Sequence, residues 1–195
     1  MVRELSPVVS NPRSEETLDQ YLRRHGKIGI QGIDTRRLVK HLRDQGAKKG
    51  ILSTVDGNRK SLVHKAERSP SIVGVDLVKE VTCRKPYEFK GSIPEGFEWG
   101  VPGQGRAYRI AALDCGIKHN ILRKLNQHGF QVTVFPAFAS AEEIAKFKPD
   151  GIFLSNGPGD PQPVVYAIET IRQLLDSRLP IFGICLGHQM LGLAL

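Results

Sequence analysis

The chain has 195 residues, of which 40% are hydrophobic and 25% are charged, a composition that excludes disorder along the whole length. No run approaches the ~18 apolar residues of a membrane-spanning helix, and the first residues contain no apolar stretch typical of a secretory signal. Cys83, Cys115 and Cys185 are too few and too widely spaced for a disulfide framework, and no CxxC pair indicates zinc. We expect a soluble protein of the reducing cytoplasm.

The formal net charge of +8 is concentrated in the first half of the chain. Residues 1–106 carry 20 basic and 13 acidic side chains, whereas residues 107–195 carry 8 and 7. A basic surface binds nucleic acid, an acidic protein surface or only solvent. Here the basic residues form short pairs without interleaved aromatic side chains, which favours a solvated or protein-facing surface. We therefore expect neither nucleic acid nor a membrane as a partner.

The first half is predicted to be mainly helical. Capping residues at 14–17 precede a first helix that ends at Gly26, and Asp34 or Thr35 caps a second helix that stops at Gly46. A third helix is predicted over 59–68, before a proline. Residues 27–32 are a candidate for a short strand. Since this region offers few strands for its helices, we interpret it as part of an α/β domain.

A connecting segment is predicted over residues 86–106, which contain three prolines and five glycines. The region after it alternates between strands and helices. Four strands are predicted, over residues 109–113, 130–135, 151–154 and 180–184. Four helices are predicted, over residues 117–128, 141–147, 164–176 and from 186 onward. This alternation indicates a mostly parallel sheet with helices on both faces, in which chemistry lies beyond the carboxyl ends of the strands.

The sequence Gly183-Ile184-Cys185-Leu186-Gly187 follows an apolar strand and opens a helix. It matches the G-x-S-x-G nucleophile-elbow pattern with cysteine in place of serine. Glycines on both sides allow the chain to fold back closely around a strained nucleophile. The sulfur lies at the positive end of the helix, which favours a thiolate, and the Leu186 N–H points toward a developing oxyanion. The alternative is a buried structural cysteine beside two packing glycines.

A second motif, residues 156–161, follows the third predicted strand of this region. Gly157 and Gly159 flank a proline, and such a rigid turn presents backbone N–H groups. Beside an elbow at the same end of the sheet, the turn is suited to supply a second oxyanion donor and amides that bind substrate. By itself, the motif is also compatible with an ordinary turn.

Together, residues 182–189 and 154–161 resemble the class I, or triad-type, glutamine amidotransferases, which release ammonia from glutamine through a cysteine thioester. Residues 32–38, 74–77 and 114–123 are similar to the carbamoyl-phosphate synthase small-chain family. The resemblance covers nearly the whole chain and is weakest over residues 85–105.

The resemblance implies a domain organisation and a fold class. Residues 1–85 would be the C-terminal part of the small chain's N-terminal domain, 86–106 a linker, and 107–195 the N-terminal part of a glutamine amidotransferase domain. The expected fold is therefore α/β: a partial N-terminal α/β domain followed by the first half of a class I amidotransferase domain. The chain would be a fragment that lacks both ends, including a strand-rich segment that contributes a serine contact to glutamine.

The resemblance also implies roles for particular residues. Cys185 would be the nucleophile, Gly157 and Leu186 would supply N–H groups to the oxyanion, and Gly159 and Gln189 would hold the glutamine substrate. No metal site is expected. Family members commonly have phenylalanine at position 115, so we assign no catalytic role to that cysteine.

The family passes its ammonia to a large chain, which makes carbamoyl phosphate from bicarbonate and ATP for arginine and pyrimidine biosynthesis. The expected partner is therefore a carbamoyl-phosphate synthase large chain, and the expected substrate is L-glutamine. No cofactor is expected in this chain, since ATP and a divalent metal would belong to the large partner.

One departure from the family concerns the general base. A thioester mechanism needs a base beside the cysteine, and the family supplies it from a His-x-Glu pair downstream. This sequence contains no such pair after Cys185. His188 follows three positions along the same helix and is interpreted as a packing or hydrogen-bonding residue. We therefore expect the 195-residue polypeptide by itself to be inactive.

Two alternative functions remain open at this point. One is a non-catalytic subunit that docks on the large chain through the basic first half. The other is a class I amidotransferase that serves anthranilate or nucleotide synthesis. A general cysteine hydrolase on the same fold is a third and more distant alternative.

Overall fold

The computed structural model describes residues 1–9, 11, 14–93 and 106–195, which form two compact units, Met1–Pro70 and Ser71–Leu195. This division lies upstream of the predicted linker 86–106. The predicted domain boundaries stay a prediction, because residues 94–105 of that linker lie outside the described residues.

The first unit contains three helices, α1 (Leu18–Arg24), α2 (Thr35–Gln45) and α3 (Arg59–Arg68). Each begins at a side-chain cap, supplied by Thr17, Asp34 and Asn58 respectively. These three helix predictions are confirmed.

The predicted strand over residues 27–32 is wrong. This stretch adopts no strand, and two backbone hydrogen bonds connect it to the N-terminal residues, from Val2 to Ile30 and from Gly32 to Arg3. Two such bonds are too few for a stable sheet, which needs several paired strands with a buried face. Helices are therefore the regular secondary structure found among the described residues of the first unit.

The second unit contains five strands and five helices among its described residues. The strands are β1 (Tyr87–Glu88), β2 (Tyr108–Asp114), β3 (Phe130–Pro136), β4 (Gly151–Leu154) and β5 (Ile181–Gly183). The helices are α4 (Val78–Val81), α5 (His119–Gln127), α6 (Ala141–Lys146), α7 (Val165–Leu175) and α8 (Leu186–Ala194). The strand order is β1-β3-β2-β4-β5, with β1 antiparallel to β3 and the other pairs parallel.

Helices cover both faces of this sheet. Successive residues of β2 point to opposite faces, so that Leu113 packs in a core formed with α6, α7 and α8, whereas Ala112 packs with Leu122 of α5. The predicted α/β fold with a mostly parallel sheet is confirmed. The two elements that the sequence pattern missed are α4 and β1, which are four and two residues long.

No helix among the described residues is long and apolar enough to cross a membrane.

The parallel strands bring three loops to one edge of the sheet, beyond the carboxyl ends of the strands, where the sequence pattern predicts the chemistry to lie. These loops are residues 115–118 after β2, residues 155–161 after β4 and the turn at Cys185 after β5. They build the candidate site.

Candidate functional site

Cys185 is exposed and occupies the turn between β5 and α8. Its backbone has φ 51° and ψ −111°, a left-handed conformation that is uncommon for a residue with a side chain. Strained backbone at a strand-to-helix turn is the expected conformation of an elbow nucleophile. The structure contradicts the alternative of a buried structural cysteine at this position.

The two glycines that flank the elbow allow α8 to pack closely against the sheet. A Cβ atom at Gly183 would lie 2.7 Å from the carbonyl carbon of Gly187 and from the backbone nitrogen of His188. A Cβ atom at Gly187 would lie 2.6 Å from the carbonyl carbon of Leu154. Neither contact is possible for a real side chain, so the G-x-C-x-G pattern is a packing requirement of this turn.

Backbone hydrogen bonds fasten the elbow to the end of β4. The Ile184 N–H donates to the Leu154 carbonyl, and the Gly187 N–H donates to the Ser155 carbonyl, both at 3.0 Å. The nucleophile turn and the 155–161 loop are therefore neighbours at the same end of the sheet.

The two residues predicted to supply oxyanion donors meet in the structure. A Cβ atom at Gly157 would lie 2.6 Å from Cδ2 of Leu186 and would also overlap the carbonyl oxygen of Cys115. Gly157 therefore packs closely between the first residue of α8 and the loop after β2. Their roles as oxyanion donors remain a prediction.

The two residues predicted to hold glutamine are both exposed at this edge of the sheet. Gly159 has φ +82°, and a Cβ atom there would contact Leu77 at 3.2 Å. Gln189 lies in the first turn of α8, where its backbone N–H donates to the Cys185 carbonyl at 3.0 Å. Their contacts with a substrate remain a prediction.

Asn156 connects the 155–161 loop to the loop after β2. Its amide Nδ2 donates to the Gly116 carbonyl at 3.0 Å, and its Oδ1 accepts from the Lys118 N–H at 3.1 Å. The neighbouring Ser155 hydroxyl is fully buried and accepts from the Cys115 N–H at 2.8 Å. Sequence analysis noted Asn156 only as part of a motif, because its partners lie about 40 positions away in the chain.

Asp114, at the end of β2, is a second residue whose role the sequence pattern missed. Its buried carboxylate accepts from the N–H groups of Gly116 and Ile117 at 2.9 Å and from the Cys83 N–H at 2.8 Å. The available signal was an aspartate at a strand end, two positions before a glycine. Asp114 therefore stabilises the conformation of the loop after β2 and connects it to Cys83.

The two remaining cysteines are not nucleophile candidates. Burial, together with the nearby Asp114 charge, raises the pKa of the Cys83 thiol to about 12. The same two causes, in the same order, raise the pKa of the buried Cys115 thiol to about 12. Both therefore remain protonated near neutral pH, and a protonated thiol is a poor nucleophile.

The described residues hold no histidine–carboxylate pair and no metal cluster. Among them, no histidine side chain forms a hydrogen bond or ion pair with a carboxylate, and no three His, Cys, Asp or Glu residues are grouped to bind a metal ion. His188 is exposed, so its predicted packing role is wrong, whereas a hydrogen-bonding role stays a prediction. The reason is its phase on α8, whose buried side carries Leu186, Gly187 and Met190.

Two family models match the chain. Residues 111–195 match glutamine amidotransferase class-I, and residues 1–52 match the CPSase domain of the carbamoyl-phosphate synthase small chain. The first match includes both strand-end loops and the Cys185 turn.

Curated relatives match over the whole of this chain, and each is named carbamoyl phosphate synthase small chain. The protein of Syntrophotalea carbinolica is 55% identical and that of Pseudomonas aeruginosa 44% identical, and the match covers 52% of each. The chloroplastic protein of Oryza sativa is 42% identical over 44% of its length. The chain therefore spans about half the length of the curated relatives it matches. These identities, together with the two matched domains, show that the chain belongs to the carbamoyl-phosphate synthase small-chain family.

Proposed function

We propose that this chain is part of the glutamine-hydrolysing component of a carbamoyl-phosphate synthase. The observation that carries the proposal is the exposed Cys185 at a left-handed turn beside Gly157 and Leu186. A thiolate in such a turn attacks carbonyl carbon, and neighbouring backbone N–H groups stabilise the oxyanion that forms.

The reaction begins when the Cys185 thiolate forms a bond to the carboxamide carbon of glutamine. The carbonyl oxygen becomes an oxyanion that accepts hydrogen bonds from the N–H groups of Gly157 and Leu186. The C–N bond then breaks, and the leaving nitrogen takes a proton and departs as ammonia. Water hydrolyses the thioester to glutamate and restores the thiol. Gly159 and Gln189 hold the substrate during these steps.

The proton transfers require a base that residues 1–195 do not supply in this proposal. Thioester chemistry on cysteine uses a histidine oriented by a carboxylate, and the described residues contain no such pair. Residues 1–195 by themselves are therefore expected to release no ammonia from glutamine. A Cys185-dependent release of ammonia by this polypeptide alone would contradict that expectation.

The ammonia is consumed on a large chain, which holds ATP and a divalent metal and makes carbamoyl phosphate. The basic surplus of residues 1–106 supports an acidic docking surface on that partner. Complementary charge accelerates such an association more than it determines the affinity.

The test uses the intact polypeptide as it is expressed from its gene, assembled with the large chain. Glutamine-dependent synthesis of carbamoyl phosphate is expected to fall by at least about a thousandfold in Cys185→Ala. Cys83→Ser is the matched control, since its thiol stays protonated, and it is expected to retain the wild-type rate. Synthesis from added ammonia reports whether each complex has assembled.

The alternatives give different results in the same assay. A docking subunit without catalysis would support synthesis from ammonia but not from glutamine in the wild type. Another class I amidotransferase would hydrolyse glutamine but would not bind the large chain.

Alkylation gives a second readout that does not need turnover. Iodoacetamide is expected to modify Cys185 selectively near pH 8, because Cys83 and Cys115 are shielded and protonated. Peptide mass spectrometry locates the modified residue. Equal modification of all three cysteines in the folded protein would contradict the assignment.

A further inference from the structure

The 156–161 loop is supported from one side by residues 74–82, here called the bracing segment. The Gly74 N–H donates to Oδ2 of Asp160 at 3.0 Å. Three positions further on, Leu77 lies against Gly159, where a Cβ atom would come within 3.2 Å of the leucine Cδ1. The hydrogen bond joins two residues of the second unit that are 86 positions apart in the chain.

The bracing segment is itself anchored in the second unit. Val78 is fully buried in the core that α6, α7 and α8 form with the sheet. The Asp76 carboxylate accepts from the Val78 N–H at 3.0 Å and from the Tyr166 hydroxyl at 3.4 Å. At the end of the segment, the Thr82 hydroxyl donates to the Asp114 carbonyl at 2.6 Å. The segment is therefore a rigid support.

Asp160 is the only charged residue of the loop, and both of its carboxylate oxygens accept backbone hydrogen bonds. Oδ1 accepts from the Gln162 N–H at 3.0 Å, and Oδ2 accepts from the Gly74 N–H at 3.0 Å. These two bonds, with that to Gln162 the larger cause, lower the pKa of Asp160. The carboxylate thus joins the end of the loop to the bracing segment.

The other end of the loop is held by Asn156, which bonds to the loop after β2. Between these two anchors lie Gly157, Pro158 and Gly159. Both glycines lack a side chain that would restrict their φ and ψ angles, so the anchors must define the direction of their N–H groups. A donor that serves an oxyanion has to be aimed to within a few tenths of an ångström of its acceptor.

We propose, building on the glutaminase function proposed above, that Asp160 is a positioning residue for that reaction. By joining Gly74 to Gln162 through its carboxylate, it holds Gly157 and Gly159 where they bind glutamine and stabilise the oxyanion. It touches neither the substrate nor the sulfur. The bracing segment is thereby part of the glutamine site, although it lies upstream of the amidotransferase match at residues 111–195.

The test compares three variants of the intact polypeptide in complex with the large chain. Asp160→Ala removes both acceptors and is expected to reduce glutamine kcat/KM about tenfold, mainly through KM. Asp160→Asn keeps one acceptor oxygen, so its kcat/KM for glutamine is expected to lie between the values of Asp160→Ala and the wild type. Asp176→Ala is the matched control, because the exposed Asp176 side chain has no hydrogen bond or ion pair among the described residues.

Amide hydrogen exchange is measured on the same proteins and does not depend on activity. Exchange in the 155–161 peptide is expected to accelerate in Asp160→Ala and to stay at the wild-type rate in Asp176→Ala. If the wild type shows no Cys185-dependent glutaminase, the proposed function fails, and the exchange data alone decide whether Asp160 holds the loop.

Three results would overturn the inference. The first is unchanged exchange in the 155–161 peptide of Asp160→Ala. The second is an active wild type whose Asp160→Ala variant has unchanged kcat and KM for glutamine. The third is a loss of glutamine kcat/KM in Asp176→Ala that equals the loss in Asp160→Ala.

If Asp160→Ala fails to fold, Gly74→Ala replaces it. Gly74 has φ +78° and open space around its Cβ position, so the added methyl strains only the backbone that bonds to Asp160. A rise in glutamine KM is again expected, and an unchanged KM together with unchanged exchange would overturn the inference.

Discussion

The two compact units form their helices in different ways. None of the three helices in Met1–Pro70 has a buried residue, and each begins at a side-chain cap. In Ser71–Leu195, by contrast, a single helix, α7, has five buried residues, although it begins without a side-chain cap. All of the buried hydrophobic side chains among the described residues belong to this second unit.

The difference shows which interactions hold each unit. A side-chain cap contributes about 1 kcal/mol, whereas full burial of a leucine contributes about 1.5–3 kcal/mol. Apolar side chains on the helices of the first unit, such as Leu18, Val39 and Val63, are at least half exposed. Local interactions such as caps therefore contribute a larger fraction of the stability of the first unit, whereas burial of apolar side chains contributes most of the stability of the second.

Truncating one helical leucine in each unit tests this comparison with the largest expected effect. Leu122→Ala removes a fully buried side chain from α5 and is expected to lower the free energy of unfolding by about 2–5 kcal/mol. Leu18→Ala on α1 is half exposed in the wild type and is expected to cost less than about 1 kcal/mol. Urea denaturation of the intact polypeptide measures both. Equal losses would break the comparison.

Adding a methyl group to α8 tests the packing of the second unit. Gly187→Ala places a Cβ against the Leu154 backbone and is expected to destabilise the unit by about 2–3 kcal/mol. Gly192→Ala is the matched control on the same helix, where a Cβ meets open space, and it is expected to stabilise by about 0.5–1 kcal/mol. Thermal unfolding measures the change in stability of each variant and shows whether it is a loss or a gain. A neutral Gly187→Ala would show that the elbow relaxes easily.

Removing a cap tests the first unit. Asp34 accepts from the Arg37 N–H at 2.9 Å, and Asp34→Ala is expected to cost about 1 kcal/mol. Because α2 has no buried residue, the loss should appear as faster amide exchange along α2 itself. Asp34→Ser keeps a capping oxygen and should remain close to the wild type. Unchanged exchange in Asp34→Ala would show that the cap is not what holds α2.

The smallest expected effect is on the titration of Asp56, in the first unit. Hydrogen bonds from Lys65, Ser61 and the Asn58 N–H, in that order, lower the pKa of Asp56 to about 2. Since the unfolded pKa is about 3.9, the stabilisation is present above that pH and is lost as the pH falls toward 2.

Carboxyl chemical shifts in an NMR pH titration measure this pKa directly. In Lys65→Met the midpoint for Asp56 is expected to rise toward the ordinary value of an aspartate. A wild-type midpoint near 4 would show that the hydrogen bonds do not persist in solution.

Sequence analysis predicted most helices and strands because their signals are local. Asp34 and Gly46 mark the two ends of α2, and apolar runs mark β2 to β5. It failed at the strand over residues 27–32, where the apolar pattern was present but no partner strand was available. It also missed β1, a strand of two residues that exists only through its pairing with β3.

The candidate site was predictable where a motif encodes a backbone requirement. The glycines around Cys185 indicate a close approach, and the structure explains each of them by backbone that a side chain would overlap. The full set of contacts of Asn156, Asp114 and Asp160 could not be predicted in this way, because each has at least one hydrogen-bond partner that is distant in the chain.

The sequence by itself determined the α/β alternation, the elbow and the family resemblance, since these depend on periodicity, on capping residues and on glycine at fixed spacing. Only the tertiary structure decided which hydrogen bonds join the loops at that edge and which residues support them. The Gly74–Asp160 bond joins residues 86 positions apart, and no local pattern reports such a contact. It exists because burial of Val78 brings the bracing segment under the loop, and burial depends on the whole sheet.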